Sequence, residues 1–410
     1  MSKYLSTPTL LFITFVVVVL QTKMTQPAGL QPPDLAVPEQ IHLSLAEQPD
    51  AMTITWATPI PLAATPAVEY GKEEKKLYRE AVGTTRHWTY AGITRHTHTV
   101  TLRNLEYNTV YYYRAGSNQQ GWSHLFHFRT MSPPGDHPLR ICIFGDLGYL
   151  NGTALPYIQT GVQNNEFDMV IHVGDLAYDL HTDNGYRGDQ FMRQIEPIAA
   201  YVPYMVVAGN HEDDDHNFTN YASRFNMPNS PFKDSQVYSV DVGPVHLLGI
   251  SSEYHGFFYK YGVDLVFAQN EWLEQDLKKA NANRANVPWI ISYQHQQTDK
   301  NWFHLNAGFE QLLVDAGVDL GFGVMNILTR AAPVYIVTGS AGCHSGHALF
   351  DKAAVPGSVK QLNDYGYTLL HVHNFTHLHI QQISVEGGSH VIDSVWLTKD
   401  IGHIPNTSLR

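Results

Sequence analysis

The sequence predicts two joined folds: an all-β sandwich over residues 32–131, then an α/β domain of βαβ units over residues 138–360, closed by a β segment over residues 361–410. Three observations predict it. Up to Met131 the apolar residues alternate with period two, the mark of strands with one buried face. From Leu139 the texture changes to short continuous apolar runs separated by helical stretches, as in strands covered on both faces. The residues just past four of those runs are carboxylates, an amide and a histidine. A chain of 410 residues has room for two or three domains, and 43% hydrophobic with 16% charged residues describes a globular protein.

Residues 1–25 read as a secretory signal. Lys3 precedes the eleven-residue apolar run Leu10–Leu20, which Gln21, Thr22 and Lys23 cut off. That is too short for a hydrocarbon core that takes about 20 helical residues, so no stable membrane anchor is expected. Four sequons, at Asn151, Asn217, Asn374 and Asn406, fit a glycoprotein that is secreted or follows an endolysosomal route. In the first domain Ile41–Leu45, Met52–Trp56, His98–Leu102 and Thr109–Ala115 alternate. The segment Leu105–Gly116 resembles the end of a fibronectin type III-like sandwich, with its first tyrosine, Tyr107, expected to anchor a corner. Ser132–Asp136, rich in Pro and Gly, reads as a linker. The later strands are centred on Arg140–Phe144, Met169–Val173, Tyr204–Ala208, Trp289–Tyr293 and Val334–Thr338, and an amphipathic helix covers Leu265–Ala280. His371, His373, His377 and His379 alternate in the C-terminal segment and are expected to line one sheet face.

The net charge of −12 excludes a generic binder of nucleic acid, which needs a cationic footprint, but not a small phosphorylated substrate held through a metal. Two cysteines, Cys142 and Cys343, cannot form a disulfide framework, although one bridge between them is open.

Open α/β sheets bind ligands beyond the carboxyl ends of their strands. There the sequence reads Gly145-Asp146-Leu147-Gly148, Gly174-Asp175-Leu176-Ala177-Tyr178, Gly209-Asn210-His211-Glu212 and Tyr293-Gln294-His295. Carboxylate and phenolate oxygens suit a hard, highly charged cation, and imidazole with an amide oxygen suits a softer divalent one. Two unlike ligand sets meeting at one sheet edge therefore point to a two-metal site. Taken singly, each motif is also an ordinary turn or helix cap.

These motifs, in this order, resemble those of the metallophosphoesterases and in particular the purple acid phosphatases. Gly-Asp-x-x-Tyr, here Gly174–Tyr178, is the discriminating element, and Asp146-Leu147-Gly148 stands in place of Asp-x-His. The resemblance implies an α/β metallophosphoesterase-type βαβ sandwich with an N-terminal all-β fibronectin type III-like domain. It also implies Fe3+ beside a divalent Zn2+, Fe2+ or Mn2+. Asp146 and Tyr178 resemble ligands of the ferric ion, Asp175 the bridging carboxylate, and Asn210 and His295 ligands of the divalent ion. His211 resembles the catalytic histidine that meets the substrate phosphate. The implied reaction is hydrolysis of phosphate monoesters at acid pH, a metal-activated hydroxide attacking phosphorus.

The resemblance breaks at one place. A Gly-His-x-His motif is expected after the run Asp315–Gly323, but the chain reads Gly323-Val324-Met325-Asn326 and passes almost directly to Pro333. Gln296-Gln297 also replaces the usual continuation after His295. Loss of two imidazoles weakens ion binding and opens coordination positions. The alternative is thus a catalytically weakened or inactive secreted glycoprotein of the same fold, or one in which His344 and His347 substitute. The acidic run Glu212–Asp215 reads as a solvated loop.

Overall fold

The computed structural model describes residues 37–296, 309–324, 334–343, 346 and 360–400. These all lie within one compact unit spanning Ala36–Arg410. The signal segment, Met325, Asn326, His344, His347 and Asn406 fall outside the described residues.

The first domain is a sandwich of a four-stranded and a five-stranded sheet. One has the order Glu39–Leu45, Met52–Thr58, Ile93–Leu102, Thr84–Tyr90; the other Arg79–Val82, Ala67–Gly71, Val110–Ser117, Gly121–Trp122, with Phe126–Arg129 added to Val110–Ser117. Its core holds Trp56, Tyr111, Tyr113 and Phe128, all fully buried. The corner tyrosine is Tyr111, not Tyr107: its hydroxyl accepts the Glu106 N–H at 3.1 Å, whereas Tyr107 is partly exposed. Tyr111 points inward because it alternates in phase with the core residues of its strand.

Strand Glu39–Leu45 departs from the one-face expectation, since Gln40, His42 and Ser44 are buried as well. Its polar face is covered by the second domain. The Ile41 N–H donates to Glu196 at 2.9 Å, the Ser44 hydroxyl to the Asn226 carbonyl at 2.7 Å, and Leu43 bridges Pro203.

The α/β part contains two sheets. The first has six strands in the order Tyr204–Val207, Met169–Val173, Leu139–Phe144, Gly366–Val372, His377–Ser384, His390–Thr398. Its first three strands are parallel and the rest antiparallel. The second has five, in the order Tyr238–Val242, Val245–Gly249, Trp289–Tyr293, Leu320–Gly323, Val334–Val337. One continuous apolar cluster, including Ile141, Ile143, Val206, Leu247, Ile291 and Phe322, joins the two. Helix Tyr186–Ala199 buries Phe191, Ile195 and Ile198, and helix Asp264–Ala282 sets Leu273 and Leu277 against Leu248 and Ile290. Four of the five apolar runs are buried on both faces. Val334–Val337 is half-exposed because it ends the five-stranded sheet. Cys142 and Cys343 are both buried, and no disulfide joins them.

Candidate metal centre

Each ligand candidate sits where a strand stops and the chain turns sharply. Asp146 follows strand Leu139–Phe144, Asp175 and Tyr178 follow Met169–Val173, and Asn210 and His211 follow Tyr204–Val207. His295 follows Trp289–Tyr293, a strand of the other sheet. The candidates therefore gather in the seam between two sheets rather than along one sheet edge.

Close approach makes the glycines necessary. A Cβ on Gly209 would stand 2.3 Å from Asp175 Oδ1, and one on Gly174 would stand 2.7 Å from His295 Nδ1. Asp146, Asp175 and Tyr178 all take positive φ, at 54°, 50° and 43°. Side chains other than glycine rarely adopt that conformation, and such residues concentrate at functional sites.

Donor atoms of Asp146, Asp175 and His295 lie within 4.8 Å of one another. His295 Nε2 is 3.3 Å from Asp175 Oδ1 and 3.2 Å from Asn210 Oδ1, and its Nδ1 meets the Val173 carbonyl at 2.9 Å. Tyr178 is buried, its phenol near the Asp146 carboxyl and its ring beside His211 with centroids 4.5 Å apart. His211 Nδ1 meets Asp179 Oδ1 at 2.5 Å, its main-chain N–H donates to Asp175 Oδ1 at 3.0 Å, and its Nε2 lies 3.9 Å from Asp175 Oδ2.

Burial and crowded negative charge dominate the electrostatics. Burial pushes Asp146 up to about 7, with Asp175 adding to the rise and His295 opposing it. Burial also works against the Asp175 charge, but His295 and His211 hold its carboxyl below the usual range. Burial, Asp146 and Asp175 push the Tyr178 phenol far up. The hydrogen bond to Asp179 raises His211 to about 9. Asp146 Oδ1 is buried with no hydrogen-bond partner among the described residues. A buried acceptor left bare beside a second carboxylate is costly unless a cation completes it. The donor set therefore fits metal: the carboxylates of Asp146 and Asp175 and the His295 imidazole come together, with the Asn210 amide oxygen and the Tyr178 phenol beside them.

Four further residues of the site escaped sequence reasoning. Glu212, read as part of a solvated acidic loop, is fully buried: its carboxylate accepts the N–H groups of Asp175, Leu176 and Gly209, each at 2.9 Å. Its signal was present as a glutamate three residues after the glycine that opens a short helical turn, Asn210–Glu212. Asp214 is buried too, accepting the Asn220 N–H at 2.8 Å, and only Asp215 of that run is well exposed. Asp179 orients His211, and Gln296 donates to Asn210 Oδ1 at 2.9 Å. Glu253 lies buried behind His295 and is pushed up to about 7 by burial. No local pattern marks these last three.

At the break in the motif the structure puts an isopropyl group beside Asp146. A Cβ on Gly145 would stand 2.6 Å from Val324 Cγ2; one on Gly339 would stand 2.4 Å from Val324 Cγ1 and 3.0 Å from Asp146 Oδ2. Of the sequons, Asn151 and Asn217 are exposed, and Asn374 is partly buried with Oδ1 accepting the Thr376 and His377 N–H groups at 2.9 Å.

Comparison with known proteins agrees with this fold. Family models match in chain order: the purple acid phosphatase N-terminal domain over residues 38–130, the calcineurin-like phosphoesterase over 139–323, and the iron/zinc purple acid phosphatase-like protein C over 332–394. Fold and strand-end donors together define a calcineurin-like metallophosphoesterase. Human acid phosphatase type 7 is 39% identical, over 89% of this chain and 92% of the relative. Purple acid phosphatase 21 of Arabidopsis thaliana is 32% identical, over 82% and 78%. The chain belongs to the purple acid phosphatase family, whose iron/zinc centre is binuclear. A purple acid phosphatase from yellow lupin seeds shares the fold with a TM-score of 0.75 at 23% identity, over 89% of this chain and 75% of that one.

Proposed function

We propose that the chain is a secreted or endolysosomal acid phosphatase that hydrolyses small phosphate monoesters. Its centre would pair Fe3+, held by Asp146, Tyr178 and Asp175, with Zn2+, Fe2+ or Mn2+ held by Asp175, Asn210 and His295. The gathering of Asp146, Asp175 and His295 donor atoms within 4.8 Å, with Asp146 Oδ1 bare, carries the reading. Bound metals supply the Lewis acidity that neutralises phosphate charge and makes a nucleophile available in acid.

The chain's own residues do the rest. His211 stands at the mouth of the site, over a third exposed, with Asp179 fixing its ring. Its Nε2 is the nitrogen left to face a phosphate oxygen or a leaving group. Family membership and the N-terminal apolar run support a processed chain with the domain limits given above. Among the described residues no helix is long and apolar enough to cross a membrane.

One observation favours a second reading, a weakened or inactive glycoprotein: Val324 presents an apolar group to Asp146 where an imidazole is expected. Metal analysis, a visible tyrosinate band and p-nitrophenyl phosphate turnover at acid pH separate the two. Bound iron with turnover supports the enzyme; a colourless, metal-poor and inert protein sinks it.

A further inference from the structure

We propose that His371, His373 and His379 form a second metal site, an all-imidazole site for a divalent transition ion such as Zn2+, on the face of the six-stranded sheet formed by its C-terminal strands. The strand register builds it. His371 pairs directly with His379, and His379 with Trp396, so the three side chains share one face across adjacent strands. His373 lies two residues beyond His371, and its N–H donates to the His377 carbonyl at 2.9 Å, which continues the pairing.

One ring nitrogen from each histidine lies within 4.8 Å of the others. The ring centroids form a near-equilateral triangle, with separations of 6.1, 6.3 and 6.3 Å. Metal–nitrogen bonds of about 2.0–2.1 Å in a tetrahedral site set ligand nitrogens about 3.4 Å apart, so modest side-chain rotation closes the triangle.

The surroundings suit ligation. His371 Nε2 is buried with no hydrogen-bond partner among the described residues. His379 Nε2 meets the Ser394 hydroxyl at 2.6 Å, the kind of oxygen partner that orients a metal-binding imidazole through its other nitrogen. Trp396 stacks on both His379 and His373, at centroid distances of 4.4 and 4.8 Å, and fixes their ring planes. Burial and the neighbouring imidazoles hold His371 and His379 below the ordinary histidine range, which favours the neutral form that ligates metal. Arg140, next across the sheet from His371, has its guanidinium bonded to Asp168 at 2.6 Å. His373 is exposed, which gives an ion a path in.

The site is separate from the phosphatase centre. Arg140 is the second residue of strand Leu139–Phe144 and Asp146 follows its far end, so the two constellations occupy opposite ends of one sheet. Imidazole-only ligation selects Zn2+, Cu2+ or Ni2+ over Mg2+ or Ca2+, and three protein ligands leave a fourth position open.

The test uses the full chain with its phosphatase centre loaded. Calorimetric titration with Zn2+, paired with metal analysis after dialysis, should show one equivalent more in the wild type than in a His373→Ala/His379→Ala variant. The exposed single variant His373→Ala, checked for unchanged thermal unfolding, repeats the comparison if the double variant folds poorly. Cu2+ should quench a component of tryptophan fluorescence that Trp396→Phe removes. Equal zinc stoichiometry in wild type and variants, or an extra equivalent that disappears only with Asp175→Asn, overturns the site.

Discussion

The two α/β sheets contribute unequally to the metal centre. The six-stranded sheet ends three parallel strands in Asp146, Asp175 with Tyr178, and Asn210 with His211. The five-stranded sheet contributes His295, and one strand further on it presents Val324. The oxygen-rich half is built from short turns locked by Glu212, while the imidazole half depends on a partner sheet whose next loop carries an apolar side chain. The second sheet is therefore the poorer in donors, and the apolar group it presents lies beside Asp146, a donor of the first sheet.

The largest break in this comparison is Asp175→Asn, because the proposed assignment gives Asp175 to both metals. Pairing of the metals and phosphatase activity should both be lost; a variant with full metal content and activity makes the bridging role wrong. His211→Ala acts outside the ligand set. It should lower kcat about 10²–10⁴-fold with metal content unchanged, measured by turnover beside metal analysis. Glu212→Gln probes the lock of the oxygen-rich half and should weaken metal retention about 10–100-fold in a chelator competition. Val324→His works in the opposite direction, returning an imidazole from the poorer sheet to a place beside Asp146. Metal affinity should rise about tenfold by the same competition, on the scale set by one ligand's surroundings; no gain would mean that Val324 does not mark the defect.

The smallest expected effect tests the five-stranded sheet away from the centre. His246 there is clamped by Asp241 at 2.7 Å and Asp276 at 2.9 Å. Burial opposes its charge, but the two carboxylates overcome it and raise His246 to about 9. Since the folded value exceeds the unfolded one of about 6.5, the stabilisation is complete below that pH and disappears as pH rises through about 9. The Tm advantage of wild type over His246→Gln, worth about 1–3 kcal/mol in acid, should shrink across that window.

Much of the site was legible because its chemistry falls where chain geometry is simplest, in the residues straight after apolar runs. Asp146, Asp175, Tyr178, Asn210 and His295 could be found by reading past each run. What stayed hidden depends on partners distant in the chain. Nothing local shows that His295 arrives from a different sheet, that Glu253 stands behind it, or that Gln296 reaches Asn210. The polar face of strand Glu39–Leu45 looked solvated because its cover, Glu196 and Asn226, lies far along the sequence. Glu212 and Tyr111 show a milder failure. In each the pattern was present but the wrong residue, or a solvated setting, was read from it.

The three amides gathered by the Glu212 carboxylate join the turn after Met169–Val173 to the turn after Tyr204–Val207. Two loops from neighbouring strands thereby behave as one rigid piece. Asp175 and Asn210 are set at fixed spacing before any ion arrives, so capture forfeits little backbone freedom and falls mainly to diffusion and dehydration.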